Sequence, residues 1–77
     1  MKPDHTETGE VFEIGQIWMS PRGSLYHVVG IEPGRPRQAV LRMGGIGRKV
    51  RRPWDHVAGW VIDTHADGTK AGPGVHR

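Results

Sequence analysis

Leu25-Tyr26-His27-Val28-Val29-Gly30-Ile31, set between Pro21-Arg22-Gly23 and Pro33-Gly34, decides the fold. A run of β-branched and aromatic side chains with a turn signal at each end reads as a strand. Tyr26 and Val28 alternate onto one face, and Leu25, Val29 and Ile31 onto the other. Apolar side chains on both faces suit a strand shared between two halves of a strongly bent sheet. Gly30 marks a bulge or kink where that strand turns a corner.

The same grammar repeats outward from this strand. Gln16 to Ser20 reads as the first strand, and Ser20-Pro21-Arg22-Gly23 as the turn that follows it. Proline presets φ at the second position of that turn, and glycine accepts the positive φ that closes it. The long second strand runs from Ser24 to Glu32. Glu32-Pro33-Gly34-Arg35-Pro36 then has the form of a type II turn with a stiff exit. Pro36 cannot donate to a ladder, so the third strand starts near Arg37 or Gln38. Ala39, Leu41 and Met43 alternate there with Gln38, Val40 and Arg42, one face buried and the other solvated. Gly44-Gly45 supplies a primed hairpin turn. Arg48 to Arg52 forms a fourth strand with Val50 as its inward residue, and Pro53 ends it. Trp54-Asp55-His56-Val57 is too short for an α-helix and suits a single 3₁₀ turn with Asp55 as its cap. Trp60 to Asp63 is the fifth strand.

The expected architecture is therefore all-β, a five-stranded barrel over residues 11–63 with one 3₁₀ turn before the last strand. Phe12 and Ile14 are expected to pack over one end. Residues 1–10 are polar and acidic, and residues 64–77 are rich in Gly and His, so both read as disordered tails.

Composition bounds the function. Seventy-seven residues, 35% of them hydrophobic, permit one small core. The absence of cysteine excludes a disulfide framework and any Cys-based zinc site, and it fits a reducing cytosol. No apolar run approaches the roughly 18 residues of a membrane span, and no hydrophobic signal core opens the chain. The expected location is cytoplasmic. Charge is more informative. The net value is only +3, but Arg35, Arg37, Arg42, Arg48, Lys49, Arg51 and Arg52 lie between Glu32 and Asp55 with no acid among them. A surface of one sign steers oppositely charged partners.

Five short strands, a glycine hairpin between the third and fourth, and one turn before the fifth resemble an SH3-like barrel, a likeness that covers about Gly15 to Asp63. The aromatic groove with which SH3 domains take proline-rich peptides is not implied, because the chain has one Tyr and no acidic first loop. The phrasing Gly15-Gln16-Ile17-Trp18, Pro21-Arg22-Gly23, Leu25-Tyr26-His27-Val28-Val29 and Trp54-Asp55 through Gly59-Trp60 also resembles short phage and prophage reading frames. That second likeness implies an accessory protein of a phage or mobile element. Such proteins include inhibitors that occlude a host binding site, anti-CRISPR proteins among them.

Catalytic and metal-binding chemistry finds little support in the residues. His5, His65 and His76 fall in the expected tails, His27 stands alone on a strand, and no ligand pair at helical spacing occurs. Neither Ser20 nor Ser24 sits in a glycine elbow. Gly44-Gly45-Ile46-Gly47 lacks the following helix and Lys-Ser/Thr of a phosphate loop. No enzyme, cofactor or metal is expected. Trp18, Trp54 and Trp60 could stack bases, but a core this small needs most of its aromatics, Trp18 and Trp60 first, which leaves Trp54 as the one candidate for a binding edge. The expected partner-binding set is Arg35, Arg37, Arg42, Arg48, Lys49, Arg51, Arg52 and Trp54. At least two of the cations around Val50 must share the outer face with Arg42. The bland reading of that run is an edge strand whose charges prevent aggregation. The functional one is docking on an acidic protein surface or nucleoprotein, with direct nucleic-acid binding or an assembly module as alternatives. The chain is expected as a monomer or weak homodimer.

Overall fold

A computed structural model describes residues 11–71. The expected tails over 1–10 and 72–77 lie outside the described residues. Five antiparallel strands form one sheet: β1 (Ile17–Met19), β2 (Leu25–Glu32), β3 (Gln38–Met43), β4 (Lys49–Pro53) and β5 (Val61–Thr64). Their spatial order is β4-β3-β2-β1-β5. The two outermost strands do not meet, so the sheet is open and the expected closed barrel is not formed.

Turn chemistry sets the connections. Gly23 at φ 90° closes the β1–β2 turn, its amide donating to the Ser20 carbonyl at 2.8 Å. Gly44 and Gly45 both adopt positive φ in the β3–β4 hairpin, which is the primed turn the dipeptide predicts. The bulge near Gly30 is also present. Between β2 and β3, Val28 opposes Leu41 but Gly30 opposes Val40, so Val29 is the inserted residue. Its effect is a change of phase. Strict alternation would send Ile31 outward with Leu25 and Val29, whereas the bulge turns Ile31 inward beside Val28. Leu25 and Val29 stay exposed, so β2 buries one face and is not shared between two halves.

That buried face carries Trp18, Val28, Ala39 and Leu41, with Tyr26, Ile31 and Ile62 at its margin. With no helix available, the cover comes from irregular chain. Phe12 is buried and meets Trp18 and Trp60 edge-on, with ring centroids 4.8 and 5.3 Å apart. Trp54, Val57 and Trp60 pack over the same cluster. Ile14, expected as a second anchor, is exposed.

Two further expectations are corrected. No 3₁₀ turn forms after Pro53. The His56 amide reaches the Pro53 carbonyl at 2.9 Å, but the next amide, of Val57, bonds Asp55 instead of Trp54. The Trp54 carbonyl is turned toward the Phe12 amide, which it meets at 2.9 Å. The segment is thus two consecutive turns, the second closed by Gly59 at φ 82° with the Trp60 amide on the Val57 carbonyl. Asp55 acts through its carbonyl; its side chain is exposed and caps nothing. The second correction concerns the chain after Asp63. Thr64 is buried, and residues 65–70 fold back so that Thr64 bridges Lys70. The Ala71 amide then donates to the Asp63 carbonyl at 3.0 Å.

One polar group organises the core from within. Gln16 is fully buried, and its Oε1 accepts from the Trp18 Nε1–H at 2.7 Å and from the Glu13 amide at 2.8 Å. Its Nε2 is buried with no protein acceptor among the described residues. Gln16→Met would strand two buried donors and remove one already unpaired. The net expected cost is about 1–3 kcal/mol. Trp18→Ala should cost about 3–5 kcal/mol, enough to leave so small a domain largely unfolded. Urea denaturation followed by far-UV circular dichroism checks both. A Trp18→Ala protein as stable as the parent would show that the core has been misassigned.

Candidate interaction surface

Cross-strand pairing assigns each basic side chain to a face, because directly opposed residues project the same way. Lys49 opposes Arg42, and Arg51 opposes Val40, so these three cations share the outer face, as expected of at least two. Arg52 opposes the buried Ala39 and Val50 opposes the buried Leu41, which puts Arg52 and Val50 on the core side. Val50 has the expected direction but is 41% exposed, because β4 is an edge strand with no further strand beyond it among the described residues.

Several of the cations already have internal work. Arg51 makes a bidentate pair with Glu32, at 2.9 Å from Nε and 3.0 Å from Nη2. The Arg51 guanidinium holds the Glu32 carboxyl below its usual range. Since Arg51 is on β4 and Glu32 on β2, the pair crosses β3 on the face of Val40, which is only 5% exposed. Arg42 braces the β3–β4 hairpin, donating to the Gly47 carbonyl at 2.9 Å and to Ile46 at 3.2 Å. Arg37 lies 3.9 Å from the centroid of the Trp54 ring. Arg52 sits 5.2 Å over Trp60 and donates to the His56 carbonyl at 2.9 Å.

Trp54 is half-buried, one ring face taken by Arg37 and the indole packed on the core. It does not offer the open platform expected of a stacking residue. Arg35, Arg48 and Lys49 are exposed and make no ion pair with an acid among the described residues, although, after Arg51, the Lys49 charge also helps to hold the Glu32 carboxyl below its usual range. The eight expected site residues therefore divide: Arg37, Arg52 and Trp54 cluster over the covered core, Arg42, Lys49 and Arg51 face the other way, Arg48 lies in the β3–β4 hairpin and Arg35 in the β2–β3 connection.

Sequence reasoning missed the apolar component of this surface. Ile46, at the hairpin tip two residues before Arg48, is 85% exposed, and Met43 is exposed in the same hairpin. Tyr26, Met43, Gly47, Arg48 and Val50 line an open pocket of about 330 Å³. An isoleucine inside a glycine turn was the available signal, since a two-glycine hairpin tip has no core within reach. Among the described residues no three His, Asp or Glu side chains gather at a metal-binding distance, and no helix is long and apolar enough to cross a membrane. Comparison with protein families, curated proteins and solved structures finds no match to this chain.

Glu32→Gln releases Arg51 while leaving the strand polar. Retention on a heparin column should then shift to higher salt, because one more cation is freed on the outer face. An unchanged elution point would mean that the Arg51–Glu32 pair does not limit the field of that face.

Proposed function

We propose that this is a small non-enzymatic binding protein that docks on an acidic surface of a macromolecular partner through the β3–β4 hairpin and its basic residues. The observation that carries this reading is the company kept by the free charges. Arg48 and Lys49 are exposed and form no ion pair among the described residues, and they follow an isoleucine and a methionine of the same hairpin that a monomer gains nothing by exposing. Charge at the rim with apolar side chains at the centre is the usual division of labour in a protein–protein contact. A protein partner is favoured over nucleic acid because Arg37 covers Trp54 and Glu32 neutralises Arg51, which leaves little of a stacking platform or a phosphate-binding stripe.

The element order supports an SH3-like ancestry for the open sheet, and the phage-like phrasing supports a role as an accessory protein or inhibitor of host machinery, such as an anti-defence protein. Both remain parts of the proposal, as does a cytoplasmic site of action.

Capture from a bacterial lysate, with and without nuclease, tests the reading against its alternative. The expected result is one nuclease-resistant partner, lost when Arg48 and Lys49 are both changed to Glu. Neither residue makes an ion pair or a side-chain hydrogen bond among the described residues, so the double variant should keep its melting temperature, and the loss should fall mainly on the association rate. Capture abolished by nuclease, with log K falling against log salt at about −0.9 per contacted phosphate, would assign a nucleic-acid-binding module instead. A native double variant with undiminished capture overturns the basic-surface reading altogether.

A further inference from the structure

The two edges of the sheet are treated differently. On β5 the chain folds back on itself: Thr64 bridges Lys70, and the Asp63 carbonyl accepts from Ala71. On β4 nothing returns among the described residues. Its hydrogen-bond phase follows from the Trp54 amide, which donates to Arg37 across the β3–β4 ladder at 2.9 Å. In an antiparallel pair every second residue points its N–H and C=O at the neighbouring strand. Trp54, Arg52 and Val50 therefore point inward to β3, and Pro53, Arg51 and Lys49 point outward. Pro53 has no N–H to offer, and its carbonyl is taken by His56. What remains open is the backbone of Lys49 and Arg51, each with one donor and one acceptor and no partner on that side among the described residues.

We infer that this edge receives an extended acidic segment of a partner protein as a sixth strand. The inference rests on the proposed basic docking surface and says how that surface is used. Three observations converge on the occupant. The backbone of Lys49 and Arg51 supplies the ladder. The outer-face side chain of Lys49 would lie beside one residue of an added strand, and Arg51, paired with Glu32 across β3, adds a second cation there when an incoming carboxylate competes with Glu32. On the opposite face, the open pocket lined by Tyr26, Met43, Gly47, Arg48 and Val50 takes one wall from β4, at Val50, and suits an apolar side chain from the alternate positions. The favoured segment alternates acidic with apolar residues, which is how strand addition divides affinity from specificity. A second copy of this chain is disfavoured as the occupant. Antiparallel pairing of two β4 strands would set two cationic strands side by side, with Glu32 of each copy offsetting Arg51 alone, and like charges across a ladder repel.

The test uses the full chain and a capped peptide of about eight residues alternating Glu and Val, the length of one strand. In an amide nitrogen–proton titration, the expected result is saturable binding, with the largest shifts and slowed exchange at the Lys49 and Arg51 amides. A peptide of the same sequence, N-methylated at alternate residues on its pairing edge, should fail to bind. Lys49→Ala removes a charge but keeps the outward amide, whereas Lys49→Pro removes both. The proline variant should bind at least about tenfold more weakly than the alanine variant. The N-methylated peptide decides the matter even if the proline variant misfolds. Binding that survives N-methylation but is lost when Arg48 and Lys49 are changed to Glu would leave the basic surface standing and remove the added strand. The strand is also ruled out if no saturable binding occurs, if the shifts map to Val61, Met19 and Leu25, or if the protein self-associates through β4.

Discussion

The hydrogen bond from the Phe12 amide to the Trp54 carbonyl joins the two pieces of chain that roof the core. A single sheet with one apolar face must be covered, and this protein covers it with turns. Turns carry many unpaired backbone groups, so a roof made of them needs internal bonds wherever it leaves water. Phe12 arrives from one side and the Pro53–Trp60 segment from the other. Their meeting allows the three rings of Phe12, Trp18 and Trp60 to close edge-on over the sheet. The same bond turns the Trp54 carbonyl away from Val57, and a helical turn gives way to two tight ones. Gln16 does the corresponding work beneath, holding Trp18 by its indole N–H and the chain at Glu13 by its amide.

The roof is too small for the core it covers, and arginine makes up the difference. Trp54 and Trp60 are only partly enclosed by apolar groups, and Arg37 and Arg52 lie over their rings. A guanidinium suits this position, because it is weakly hydrated, flat and attracted to the face of an aromatic ring. On the outer face Arg51 reaches across β3 to Glu32, on the side where Val40 is buried. Part of what reads in sequence as a binding run is thus a second layer of packing, made from the stems and heads of long cations.

Much of the fold was legible because it is written in local chemistry. Pro21 and Gly23 set one turn, Gly44 and Gly45 another, Pro36 the start of β3, and each strand appears within a residue or two of its expected place. Gly30 announced the bulge, although not its consequence for Ile31. Closure of the sheet was not legible, since whether β5 meets β4 depends on accumulated twist and not on any one residue. The pairing of Arg51 with Glu32 was hidden for a related reason. These residues are 19 apart in the chain, and they meet only because the β2–β3 and β3–β4 registers bring their strand positions to the same end of the sheet. The ordering of Thr64 to Ala71 escaped notice because it depends on backbone bonds and one buried threonine, with almost no apolar signal.

Open edges explain why the charges sit where they do. The Asp63–Thr64 end of β5 is covered by its own returning chain; Val61 is exposed at the other end, and no basic residue occupies the strand. β4 is unprotected and holds Lys49, Arg51 and Arg52 within its five residues, ending in a proline. Those features together are the means by which natural sheets discourage association with their own kind. Repulsion of that kind is selective, because it depends on the sign of the incoming strand and not on the hydrogen bonds it would make. An edge defended by positive charge and a terminal proline repels a second copy of this chain more than it repels an acidic strand. The solvated-edge and binding-surface readings of the basic run are therefore two consequences of the same electrostatics, and the charge of the approaching partner decides which of them operates.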